Sequence, residues 1–153
     1  MKFVEERALR DAFWKKYGDR PNILAHQFEC AARHGGVDLL TVESVKNRSG
    51  KGSNLQIVSF EFKLDDIEKA ISQAVQDLDF SHKAFIVVPD RKIKVITDKY
   101  IDVLRKCRYI GVITVGLDGR WDLPIRCWAK ADKDVRVNQE IMKMMVSGAM
   151  HLA

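Results

Sequence analysis

The apolar positions along the chain change their period several times, and each change marks an element. Over residues 2–17, Val4, Ala8, Leu9, Ala12 and Phe13 recur at helical spacing, and Gly18 and Pro21 in "YGDRPN" end the helix they predict. "ILAHQFECA" and "VDLLTVESV" read as strands joined by the turn-like "RHGG", and "LQIVSFEFKL" as a third after a Gly/Ser-rich loop. Ile67, Ala70, Ile71, Ala74, Val75 and Leu78 then follow an i, i+3, i+4, i+7 pattern, with Asp65 or Asp66 as the N-cap of the helix they form. "KAFIVVP" reads as a buried strand, "TDKYIDVLRKC" as a helix capped by Thr97 or Asp98, and "YIGVITVG" as another buried strand. "LDGRWDLPIRCWAKA" predicts an Asp-Gly turn into an edge strand that tolerates Pro124. The tail from Asp132 predicts a last helix bearing Ile141, Met142, Met145 and Val146.

The order α-β-β-β-α-β-α-β-β-α places a strand-helix-strand-helix-strand run in the middle, which implies parallel pairing by right-handed crossovers, after an opening antiparallel hairpin. The expected class is α/β, a mixed central sheet flanked by helices, forming a single domain over residues 1–153.

Against this pattern Glu61 and Lys63 stand out, an acid and a base among Phe60, Phe62 and Leu64. Strand alternation puts the two on one face, so that either they pair with each other or they do chemistry. Asp38 is a second carboxylate within an apolar strand. A two-residue loop in the preceding hairpin would bring Gln27 and Glu29 onto its face. Asp and Glu with a backbone carbonyl suit a hard cation such as Mg²⁺, and a nearby lysine suits an attacking water or a scissile phosphate. The plain alternative is a Glu61–Lys63 structural pair, with Asp38 satisfied by backbone amides.

Charge and composition narrow the surroundings. The 26 Lys and Arg exceed the 21 Asp and Glu, giving a net charge of +5, mild encouragement for a polyanionic partner. "VKNRSGKGSN" gathers Lys46, Arg48 and Lys51, and "DRKIK" carries Arg91, Lys92 and Lys94 after a strand. The basic loop suits phosphate contacts, and a solvated hairpin loop would look the same. Cys30, Cys107 and Cys127 are dispersed and odd in number, against both a disulfide framework and a zinc site. No apolar run approaches the roughly 20 residues of a membrane span, and the charged N-terminus lacks a signal segment; no membrane partner and a cytoplasmic location are expected.

"GVDLLTV", "SFEFKL", the helix "DDIEKAISQAVQDL" and the strand "KAFIVVP", spanning roughly residues 23–89, resemble the core of the PD-(D/E)xK nuclease superfamily, with a restriction endonuclease-like fold. Val37 stands where the family name has proline. The resemblance implies a metal-dependent endonuclease that hydrolyses DNA, with RNA as a further possible substrate. In it Asp38 and Glu61 ligate Mg²⁺ or Mn²⁺, with the Phe62 carbonyl as a further ligand, and Lys63 is the catalytic lysine. Gln73 stands where relatives carry a polar residue that organises the site, and one more acid is drawn from the first helix, Glu5 or Glu6. A catalytically silent nucleic-acid-binding or assembly module of the same fold is the competing expectation. A homodimer would account for double-strand cutting. His26 and His82 read as packing or strand-end residues, and His34 is too isolated for a zinc site. Trp121, Trp128, Arg120 and Arg126 read as a hairpin covering the core edge.

Overall fold

The computed structural model describes residues 2–47 and 49–152, the last five of these by backbone alone. Six strands form one open mixed sheet in sequence order: β1 (Ile23–Cys30), β2 (Val37–Lys46), β3 (Ser53–Phe62), β4 (Lys83–Pro89), β5 (Ile110–Val115) and β6 (Trp121–Ile125). β1, β2 and β3 pair antiparallel, β3, β4 and β5 parallel, and β6 returns antiparallel. The helix α2 (Ile67–Asp77) and the helical stretch before β5 make the two parallel crossovers.

Alternation along the strands separates two apolar faces. Leu39, Val58, Phe60, Phe62, Phe85, Val87, Ile113 and Val115 face α1 (Glu6–Tyr17) and its Leu9, Phe13 and Tyr17. The Phe13 ring sits 5.7 Å from both Phe60 and Phe62 and 4.6 Å from Tyr17. On the other face Ala84, Ile86, Val88 and Val112 pack on Ile67, Ala70 and Ala74 of α2. Leu40, Val42 and Ile57 pack on Ile141 and Met144 of α5 (Gln139–Leu152). The result is a sheet between helical layers. Gly119, with φ 87°, lies so close to α1 that a Cβ would stand 2.4 Å from the Ala12 carbonyl oxygen; the Asp-Gly turn thus fixes the helix as well as the hairpin.

Several expectations shift in detail. The first helix begins at Glu6, and Asp66 is the cap of α2, accepting from the Lys69 N–H at 3.1 Å. β3 ends at Phe62, so Lys63 and Leu64 lie beyond the strand. The hairpin loop between β1 and β2 spans residues 31–36 rather than two residues. Helical backbone runs on from Asp90 through a 3-10 turn, α3 (Ile93–Val95), a π segment (Ile96–Tyr100) and α4 (Ile101–Lys106). Thr97 caps nothing there; its hydroxyl donates back to the Ile93 and Lys94 carbonyls, both at 3.0 Å. The buried face of α2 is Ile67, Ala70, Ala74 and Asp77, while Val75 is exposed. The edge strand β6 carries Pro124 as expected, and no helix among the described residues is long and apolar enough to cross a membrane.

Phe13 joins α1 to two strands at once. Phe13→Ala is expected to destabilise the protein by about 3–5 kcal/mol in urea unfolding, and a loss near zero would show that α1 does not share the core's cooperativity.

Candidate functional site

β2 and β3 pair without interruption from Lys46–Ser53 to Leu39–Phe60, and there the ladder stops. The next residues of that register are Asp38 and Glu61. The Phe62 N–H donates to the Asp38 carboxylate at 2.8 Å, so a side chain takes the place of a backbone rung. On the other side of Asp38, the pairs Cys30–Val37 and Phe28–Leu39 leave Glu29 opposite it. Glu29, at φ 51°, is the one non-glycine left-handed residue among those described. Such strain at a strand end re-aims a side chain. Glu29, Asp38 and Phe62 line a cavity of about 350 Å³ with Glu6, Arg7 and Arg10 of α1.

Glu61 and Lys63 do not pair. Glu61 is completely buried on the α2 side of the sheet, where one nitrogen of Arg33 donates to both its oxygens at 3.1 and 3.3 Å. Arg33 Nε donates to Asp77 Oδ1 at 2.8 Å, and Asp77 Oδ2 is buried without a hydrogen-bond partner. Lys63, the first residue beyond β3, hydrogen-bonds through its N–H to the Val87 carbonyl at 3.1 Å and sends its ammonium toward α1, 3.8 Å from Glu6. The expected common face fails because strand alternation ends at Phe62.

Burial, then Asp77 and Asp38, pushes the Glu61 carboxyl well above its ordinary range, with Arg33 pulling the other way. Burial pushes Asp77 in the same direction, against the pull of its bond to Arg33. Two carboxylates sharing one guanidinium in a dry site leave negative charge uncompensated, and the neutral acid is the response.

By type, the Asp38 and Glu61 carboxylates and the Phe62 carbonyl are the oxygen donors that Mg²⁺ or Mn²⁺ takes. A cluster short of positive charge fits such an ion. Glu61, however, is engaged by Arg33, and among the described residues no group of three or more His, Cys, Asp or Glu is arranged to hold a metal. Gln73 sits one turn before Asp77 on α2, and its Oε1 is buried with no hydrogen-bond partner. Glu6 meets Lys63, and Glu29 faces Arg10 at 4.0 Å.

The basic loop is not at this site. Lys46 and Lys51 are exposed at the opposite end of the β2–β3 hairpin, and Arg48 lies outside the described residues. Seven residues separate the Leu39 rung from the Lys46 rung, about 24 Å of strand at ~3.4 Å each. A larger cavity of about 700 Å³, lined by Tyr17, Arg20, Glu43, Lys46, Lys83 and Trp121, also lies toward that far end. Besides Arg33 and Lys63, the cations at the Asp38 end include Arg7 and Arg10 of α1 and the "DRKIK" segment that follows β4. Lys92 of that segment holds Asp65 at 2.6 Å. His82 bridges the Ile57 N–H and Asp132, each at 2.8 Å, and the His26 ring packs tilted against Trp14 with centroids 4.5 Å apart; both are structural.

Sequence reasoning missed Arg33 and Asp77. Asp77 had a signal, a carboxylate on the apolar stripe of a helix, whereas Arg33 in a turn-like segment had none. The chain matches no family model, no curated protein and no solved structure.

Folded-state carboxyl pKa values raised above the unfolded ones give stability that is full below the ordinary carboxylate range, about 4.3 for Glu, and is lost as pH rises through the folded pKa. Glu61→Gln keeps the neutral form at every pH. Its thermal midpoint should therefore vary less than the parent's between mildly acid and mildly alkaline buffer; an unchanged slope would mean Glu61 does not titrate across that span.

Proposed function

We propose that the protein is a metal-dependent nuclease of the PD-(D/E)xK type, with a restriction endonuclease-like fold, that hydrolyses DNA phosphodiester bonds. The observation that carries the proposal is the shared position of Asp38, Glu61 and Lys63 at one sheet end. Where β2 and β3 part, Asp38 lies opposite Glu61, Lys63 follows, and Glu6 of α1 meets the Lys63 ammonium. This end is also the carboxyl end of the parallel strands β3 and β4, where open α/β sheets bind ligands.

In this proposal Asp38, Glu61 and the Phe62 carbonyl would hold Mg²⁺ or Mn²⁺. When bound, the ion supplies a polarised phosphoryl oxygen and a water of lowered pKa. Lys63, steadied by Glu6 and by its backbone bond to β4, orients that water or meets the charge developing on the phosphate. Arg7 and Arg10 of the cavity lining, and Lys92 beside Asp65, would take flanking phosphates in this reading. Gln73 presents a buried carbonyl oxygen with no hydrogen-bond partner from the helix behind.

The hold of Arg33 on Glu61 favours a second reading, a catalytically silent DNA-binding module of the same fold. The two separate on plasmid, linear duplex, single-stranded DNA and RNA, each with Mn²⁺, Mg²⁺ or EDTA. The nuclease reading expects metal-dependent cutting that falls by about 10²–10⁴-fold in Lys63→Ala with the circular dichroism unchanged. Cutting undiminished in that variant removes the mechanism. Salt-sensitive DNA binding that is indifferent to metal, with no cutting, favours the silent module, and cutting of RNA alone reassigns the substrate.

A further inference from the structure

We infer that Arg33 is a two-position latch on the metal site, competing with a divalent cation for Glu61 and resting on Asp77 when the cation is bound. The inference depends on the metal-site reading above and concerns what controls loading of that site.

Arg33 stands in the hairpin loop 31–36 with 11% of its side chain exposed. Its Nη2 donates to both Glu61 oxygens and to the Gly36 carbonyl at 3.0 Å, and its Nη1 donates to the His34 carbonyl at 3.2 Å. Gly35 and Gly36, at φ 86° and 81°, let the loop curl tightly enough to bring those carbonyls round to the guanidinium. The group is thus held from its own loop and aimed at two acids on other elements.

The two acids differ in what they do next. Glu61 is the carboxylate at the parted strands, beside Asp38. Asp77 is wholly buried at the end of α2, and its nearer oxygen bonds Arg33 at 2.8 Å, shorter than either Glu61 contact. A guanidinium stays charged at every working pH. It therefore repels a divalent cation approaching Glu61, and it occupies both carboxylate oxygens from which the cation would be held. If the Glu61 bonds break, the Asp77 bond and the loop carbonyls still satisfy Arg33, so no buried charge is stranded. Asp77 makes the exchange possible.

The latch predicts effects of opposite sign at two neighbouring residues. Mn²⁺ is titrated by calorimetry into the full-length parent and into Arg33→Met, Arg33→Lys, Asp77→Asn and Glu61→Gln. Arg33→Met frees Glu61 and should tighten Mn²⁺ binding on the order of tenfold, with Arg33→Lys nearer the parent. Asp77→Asn weakens the resting place, leaves Arg33 on Glu61, and should loosen binding by a similar factor. Glu61→Gln should abolish it. If Arg33→Met does not fold, the sign of the Asp77→Asn effect still decides. Looser binding in both Arg33→Met and Asp77→Asn would make Arg33 a support of Glu61 and overturn the latch while the metal site stands. Mn²⁺ binding absent from the parent and every variant would overturn both.

Discussion

A carboxylate in the driest part of the sheet has to be answered by charge, by a proton or by hydrogen bonds. Much of the candidate site is arranged around how Glu61 is answered. Glu61 lies where β3 leaves its neighbour, between a phenylalanine-rich face packed on α1 and the layer carrying α2. The answer comes from outside the strand. A hairpin loop supplies Arg33, and the last turn of α2 supplies Asp77. Lys63, two residues away in sequence, belongs to the other layer through Glu6.

The parting of β2 and β3 follows from the same place. A regular ladder would continue past Leu39–Phe60, but the Asp38 carboxylate takes the Phe62 N–H. The strands then open without stranding a buried backbone donor, and the opening is where Asp38 meets the cavity under α1. The far end of the sheet, with the larger hollow, carries the buried Tyr17–Glu43 pair instead, at 2.9 Å, with Arg20 3.6 Å from Glu43.

The elements were legible because each has a strong period. The strands of Val, Ile and Phe residues, the Asp66 cap and the Pro124 edge are local signals, and local chemistry settles them. Asp38, Glu61 and Lys63 were legible as ions in apolar company, and their place at one sheet end follows from the strand order, but the opposite directions in which Glu61 and Lys63 leave β3 do not. The partners were not. Which cation meets Glu61 depends on a loop that curls back through two left-handed glycines, and periodicity says nothing about loop paths. The distance of the basic loop from this site has a related cause. Lys46 is near Asp38 in sequence, but at ~3.4 Å per residue a strand carries eight residues roughly 27 Å.

The Arg33 contacts have a further consequence in the order of folding. Arg33 is 28 residues from Glu61 and 44 from Asp77 along the chain. Closing such spans loses chain entropy before any contact repays it, as it does for the parallel pairing of β3 with β4, whose partners Val58 and Lys83 are 25 residues apart. Interactions absent from the transition state act on the rate of opening rather than the rate of closing. If the Arg33 cluster closes only on the assembled sheet, it acts as a clasp that sets how long the native state lasts more than how quickly it forms.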